Sequence, residues 1–208
     1  MRNRYALAAL VLAVSVPAGC GKTPREEAPV VAKTAPEAVA TSTPTIGTPN
    51  QGVVAEFTRR VGDYVAIREQ LAGTLKKPSD KATPKEIDAY QRALGALMAK
   101  ARSDAKQGDI FLADMQTFVR GLVRRVLAEP DGARIRGSLM DENPMAAKVA
   151  VNGRYPDTVP LSTMPPDILS ALPRLPEDLE FRFVGNRLIL LDVQSHLIVD
   201  YVDNTFDV

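Results

Sequence analysis

The last thirty residues constrain the fold most, because apolar side chains there recur at every second position. Leu179 to Val184 (LEFRFV) alternates, Gly185-Asn186 interrupts, Arg187 to Val193 (RLILLDV) is nearly all apolar, and Leu197 to Val202 (LIVDYV) follows. A period of two marks strands with one covered face, and a two-residue Gly-Asn connection joins antiparallel neighbours. With Gly185-Asn186 as one tight loop, Val184 opposes Arg187 and Phe181 opposes Leu190. With Gln194-Ser195 as the next, Leu190 opposes Val199 and Leu188 opposes Tyr201. That register puts Leu179, Phe181, Phe183, Leu188, Leu190, Leu197, Val199 and Tyr201 on one face, which another layer must cover. The opposite face carries Glu180, Arg182 and Asp200 around Ile189, Leu191 and Ile198. Those three aliphatics stand exposed unless another segment lies over them.

Upstream the apolar period changes to that of a helix. Val54, Phe57, Val61, Tyr64, Leu71 and Leu75 form one stripe, which ends at Lys76-Lys77-Pro78. The next helix opens with Thr83 as N-cap, Pro84 at the first position and Glu86 at the third, a capping box. Ile87, Tyr90, Leu94, Leu97, Met98 and Ala101 continue it as far as Gln107-Gly108-Asp109. A third stripe holds Leu112, Met115, Phe118, Val119, Leu122, Val123 and Val126, before Pro130-Asp131-Gly132. Short connections make the three helices antiparallel neighbours.

Eight prolines from Pro130 to Pro176 predict turns and short pieces. Lys148 to Val151, Asn152-Gly153 and Arg154-Tyr155 read as a small hairpin with a type I′ turn. Asp167 to Leu172 reads as one or two helical turns behind Pro165-Pro166. Residues 51–208 are therefore expected to form a single α+β domain. Its helical part, 51–128, has three antiparallel helices; its Pro-rich and β part, 129–208, has a small hairpin and a C-terminal three-stranded antiparallel meander.

The first fifty residues belong to another regime. Ala18-Gly19-Cys20-Gly21-Lys22-Thr23 ends like a phosphate-binding loop, but G-x-x-x-x-G-K-S/T needs a glycine where Val16 stands. The residues after Thr23 include two prolines and no apolar periodicity, so no helix N-terminus follows to hold a phosphate. Met1-Arg2-Asn3-Arg4 is instead a basic head, and Tyr5 to Val16 is an apolar run of signal-peptide length, too short to span a bilayer. With Ala18, Gly19 and Cys20 behind it, the segment resembles the lipobox of bacterial lipoproteins, with Pro17 where that family carries an aliphatic residue. The resemblance implies a signal peptide over 1–19 and lipidation of Cys20, which becomes the first mature residue. Cleavage after Val16-Pro17-Ala18 is the alternative, leaving a soluble exported chain with a free thiol. Residues 20–50, spaced by Pro24, Pro29, Pro36, Pro44 and Pro49, read as a Pro/Ala/Thr-rich disordered linker. The folded part resembles uncharacterised lipoproteins of bacteria and no characterised family.

Chemistry-bearing residues are sparse. One Cys and one His cannot build a zinc site, and the acidic tail from Asp200 to Asp207 lacks calcium-loop spacing, so no metal and no cofactor is expected. Ser195 and His196 are adjacent and would point to opposite faces of an extended chain, which argues against a relay, so no catalytic residue is assigned. Asp141, Glu142, Asp192 and Asp200 could converge as acid–base carboxylates. Charge is uneven: residues 51–128 hold 14 Lys or Arg against 9 Asp or Glu, and residues 129–208 hold 7 against 13. Two faces attracting each other within the fold would account for this, and so would an anionic partner.

These observations lead to an expectation of an exported, lipid-anchored cell-envelope protein on the periplasmic side of a bacterial membrane, working as a binding or interaction module. Its partners would be the membrane, through the anchor, and an envelope protein or anionic headgroups; nucleic acid is not expected. The candidate interaction surface is Ile189, Leu191 and Ile198, with Arg120, Arg124 and Arg125. The alternatives are a periplasmic hydrolase or transferase with a carboxylate site between helices and sheet, and a small-ligand carrier.

Overall fold

Asn50 accepts a hydrogen bond from the Gly52 amide (2.9 Å) and so caps the first helix, α1 (Gln51–Ala72). The structure, a computed structural model, describes residues 50–142 and 148–206, all within the compact unit Thr43–Val208. The second helix, α2 (Pro84–Ala101), begins with the expected capping box: the Glu86 amide donates to the Thr83 hydroxyl, and the Glu86 carboxylate receives the Thr83 amide. The third, α3 (Ala113–Ala128), buries Met115, Val119, Leu122, Val123 and Val126 on one stripe. A short helix, α5 (Pro166–Ala171), stands behind Pro165 as expected.

Two departures concern the segment between α3 and the sheet. Gly132–Glu142 forms a helix, α4, where the prolines predict turns. Its core-facing apolar residues, buried Leu139 with part-buried Ile135 and Met140, make too short a repeat to stand out between prolines. Gly132 has a packing role, because a Cβ there would come within 2.0 Å of the Leu127 carbonyl oxygen. The small hairpin around Asn152-Gly153 does not form. Asn152 alone takes the left-handed conformation (φ 58°), and the Gly153 amide donates to the Ala150 carbonyl, a turn with Asn at its third position. A type I′ turn would require positive φ at both central residues. The domain is thus α+β, with five helices and one three-stranded antiparallel sheet among the described residues.

The sheet runs β1 (Leu179–Val184), β2 (Arg187–Asp192), β3 (Leu197–Val202) in spatial order β1-β2-β3. The first register is the expected one, with Val184 opposite Arg187 and Phe181 opposite Leu190. The second begins as expected, with Asp192 opposite Leu197 and Leu191 opposite Ile198, and then shifts by one residue. Leu190 pairs with Asp200 rather than Val199, and Leu188 with Val202 rather than Tyr201. A β-bulge inserts one residue into β3 and reverses the facing of everything beyond it. Val202 therefore joins the helix-covered core, Tyr201 moves to the other face, and the Asp200 carboxylate meets the loop before α3.

The main core lies between the helices and the sheet. Phe57, Phe111 and Phe181 pack with ring centroids 5.4 to 6.3 Å apart, joined by Leu94, Met98, Val119, Leu122, Leu188 and Leu190. Gly95 sits where α2 crosses the β2–β3 turn: a Cβ there would lie 3.0 Å from the Ser195 carbonyl oxygen.

The second face of the sheet is not a free surface. Ile189, Leu191 and Ile198 are 0, 1 and 0 % exposed, beneath Tyr155 and the flanking Val149, Val159 and Tyr201. Residues 152–155 run along β3: Asn152 and Gly153 exchange backbone hydrogen bonds with Ile198, and the Tyr155 amide donates to the His196 carbonyl. The Tyr155 hydroxyl reaches the Pro160 carbonyl at 3.0 Å. The proline-rich segment spends its backbone groups on the sheet edge and its apolar side chains on the outer face. Ile189, Leu191 and Ile198 are therefore no interaction surface, contrary to expectation: they form a second, smaller core.

Candidate functional site

Tyr64 and Arg68 lie four residues apart on the buried stripe of α1, and both turn toward Asp192 at the end of β2. The Asp192 carboxylate is fully buried. One oxygen, Oδ2, accepts from the Tyr64 hydroxyl at 2.5 Å. The other accepts from Arg68 Nη1 (3.3 Å) and from the backbone amides of Gln194 (2.9 Å) and Ser195 (3.2 Å), which turns the chain into β3. Burial, followed by the charge of Asp192, pushes the Tyr64 phenol far above its ordinary pKa. The Arg102 guanidinium covers the Tyr64 ring at 4.9 Å and also holds Asn152 Oδ1 (2.8 Å).

Asp200 occupies a separate setting. Its carboxylate accepts from the amides of Gly108 (3.0 Å), Ile110 (2.9 Å), Phe111 (2.9 Å) and Tyr201 (2.8 Å). Burial raises its pKa, and those N–H donors act in the opposite direction. Glu142 accepts from the Thr163 amide at 2.7 Å, and Asp141 is exposed. The four carboxylates that could have converged share no partner. Asp192 and Asp200 direct their lone pairs at internal donors, a structural arrangement in both cases.

Ser195 reaches Asp192 through its backbone amide, not its hydroxyl. His196 faces away, in the left-handed conformation (φ 56°), edge-on to Tyr155 and 3.6 Å from Asp157. Burial, then the neighbouring Arg154, lowers its pKa.

The arginine row on α3 meets three different surroundings. Arg120 clamps the chain end, donating to the Asp203 carbonyl and to Gln116 (both 2.9 Å). Arg124 is exposed, and Arg125 lines a cleft. That cleft, about 900 Å³, lies between α3, α4 and α5. Leu122, Val126, Ile135, Leu139 and Met164 give it an apolar floor, and six charged side chains line it, four carboxylates and two guanidiniums. An apolar floor with a few polar groups around it is the usual make-up of a ligand site, and the volume lies within the usual range. Sequence patterns do not point to this cleft, because part of its wall is α4, a helix they do not predict. Arg68 does leave a signal: a cation on the stripe of Phe57, Val61 and Tyr64 demands a buried anion.

Fold and sites together define an α+β domain in which helices cover one face of an antiparallel meander, its buried carboxylates hold the frame, and its open cleft lies between helices. No known protein family, no curated protein and no solved structure matches the chain. Among the described residues, no helix is long and apolar enough to cross a membrane, and no group of three or more His, Cys, Asp or Glu could hold a metal ion. Residues 1–49, which include Cys20 and the segments expected to be a signal peptide and a linker, lie outside the described residues.

Proposed function

We propose that this chain is an exported, lipid-anchored binding module of the bacterial cell envelope, and that it takes its partner in the α3–α4–α5 cleft. Export and anchoring rest on the basic head, the apolar run and Cys20. The observation that carries binding is the cleft itself, an amphipathic concavity whose lining is net acidic. It favours an apolar occupant with a net positive charge. The carboxylate hydrolase or transferase has less support, because Asp192 and Asp200 are occupied by separate sets of internal donors.

Two measurements test the proposal. Labelling with a fatty acid in cells should mark the parent chain and not Cys20→Ala; an unlabelled parent removes the anchor. A photo-crosslinking residue at Ser138, in the cleft wall, should capture a discrete partner that a crosslinker at exposed Asp63 does not. Identical products from both positions would refute the cleft as the binding place.

A further inference from the structure

The cations of this domain divide by type. Arginines mostly hold the fold: Arg59, Arg60, Arg92, Arg154 and Arg187 are ion-paired, and Arg102, Arg120 and Arg136 donate to backbone carbonyls. The lysines do not. The described residues hold seven, and four of them, Lys76, Lys77, Lys81 and Lys85, fall within ten residues between α1 and the first turn of α2. All four are exposed, and none has an ion-pair partner among the described residues. Of the acidic side chains in the same stretch, Glu86 is turned back onto Thr83 by the capping box, which leaves Asp80. Ile87 stands beside them, 43 % exposed, one of the few large apolar side chains left in solvent.

We propose that the α1–α2 connection, with Lys76, Lys77, Lys81 and Lys85 and the neighbouring Ile87, is a docking surface for an anionic phospholipid leaflet. Lysine suits a fluid lipid surface, because its ammonium is a compact charge on a flexible stem, able to follow laterally mobile headgroups without fixed geometry. A guanidinium fork would favour particular bidentate partners. Each lysine brought to an anionic surface contributes about fivefold in partition, so four together give a substantial effect that salt suppresses. An exposed aliphatic beside such a cluster adds an apolar contact at the headgroup boundary.

The surface rests on the reading of the chain as lipid-anchored, and chain length is compatible with both attachments. The lysines lie at the far end of α1 from Asn50, and 22 residues of helix span about 33 Å. The stretch from Cys20 to Asn50 reaches at most about 100 Å. Both can therefore meet one leaflet, with α1 lying along it. The anchor supplies proximity and the lysines supply orientation.

Flotation with vesicles tests the surface. The full chain carrying Cys20→Ala, which removes the acyl group, is mixed with phosphatidylcholine vesicles and with vesicles that also contain phosphatidylglycerol. Partition onto the anionic vesicles is expected to exceed that onto neutral ones by roughly tenfold or more, and the excess should vanish in molar salt. Replacing the four lysines by glutamine should abolish the excess, and replacing them by arginine should keep it. Arg124→Gln, outside the cluster, should leave it intact. Should the quadruple glutamine variant fail to fold by circular dichroism, Lys81→Gln and Lys85→Gln singly should each reduce the excess severalfold. Equal partition onto both vesicle types, or an excess that survives the lysine-to-glutamine replacement, overturns the proposal. Because no acyl group is present, this outcome is independent of the Cys20 labelling.

Discussion

Asp192→Asn isolates the polar centre of the domain, since it keeps the shape of the side chain and removes its charge. Four donors converge on the carboxylate: the Tyr64 hydroxyl, Arg68 Nη1 and the amides of Gln194 and Ser195. An amide offers one acceptor oxygen, so its NH2 group must replace one carboxylate oxygen. With the oxygen kept toward the two backbone amides, Tyr64 must rotate its hydroxyl to accept. Arg68, 5 % exposed at its side chain, loses its buried counter-ion. It retains the Glu177 carbonyl at 3.5 Å and half-exposed Asp178 at 4.0 Å, both long contacts. Leaving a buried charge without its partner costs about 3–5 kcal/mol, and the residual contacts place this case near the lower end, about 3 kcal/mol. That is a large part of a typical domain stability of about 5–15 kcal/mol. Urea unfolding should show it as a midpoint lowered by about 1.5 M at unchanged slope, for a slope near 2 kcal/mol per M. Tyr64→Phe removes one hydrogen bond to a charge and should cost about 1.5–3 kcal/mol. Arg68→Met should cost less than Asp192→Asn, because the carboxylate retains three donors while the guanidinium does not retain its anion. A loss below about 1 kcal/mol for Asp192→Asn, or a larger loss for Arg68→Met, would refute this account of the site.

The raised Tyr64 pKa gives a pH dependence with a definite sign. Below the free phenol value of about 10 both states keep the proton and this group contributes no slope; above it only the unfolded state loses the proton, so stability falls as pH rises toward the native value. Alkaline unfolding followed by circular dichroism should be shallower for Tyr64→Phe than for the parent. Ile189→Ala, at a fully buried position of the second core, should destabilise by about 2–5 kcal/mol in thermal or urea unfolding; a fully stable variant would contradict the covered face. Asp200→Asn should accelerate hydrogen exchange at the Gly108, Ile110 and Phe111 amides selectively, and unchanged protection there would show that the carboxylate does not hold that loop.

Local signals carry much of this fold. The capping box at Thr83 and Glu86 stands where expected, and Gly185, with φ 58°, makes the tight loop that sets the β1–β2 register. The β2–β3 register is legible only as far as Ile198. Counting by twos along LIVDYV cannot reveal an inserted residue, so it puts Asp200 and Tyr201 each on the wrong face. Helix α4 escapes because it is short, sets only Ile135, Leu139 and Met140 on the core and lies among prolines. The cover over Ile189, Leu191 and Ile198 depends on residues 149–159 crossing the sheet, a long-range placement that no local pattern encodes. The same holds for the cleft, whose walls come from three helices, and for the convergence of Tyr64 and Arg68 on a carboxylate more than 120 residues away.

The anchoring of the 108–111 loop by Asp200 bears on the order in which the molecule can be completed. A chain made from its N-terminus has the five helices of the described residues before it has any strand of the sheet. The amides of Gly108, Ile110 and Phe111 find their acceptor some ninety residues later, in the final strand. Arg120 and Arg136 likewise wait for the carbonyls of Asp203 and Phe206. The last ten described residues therefore act as a latch. A nascent chain stays open until they emerge, and a premature stop that removes them leaves every helix present and the domain unclosed.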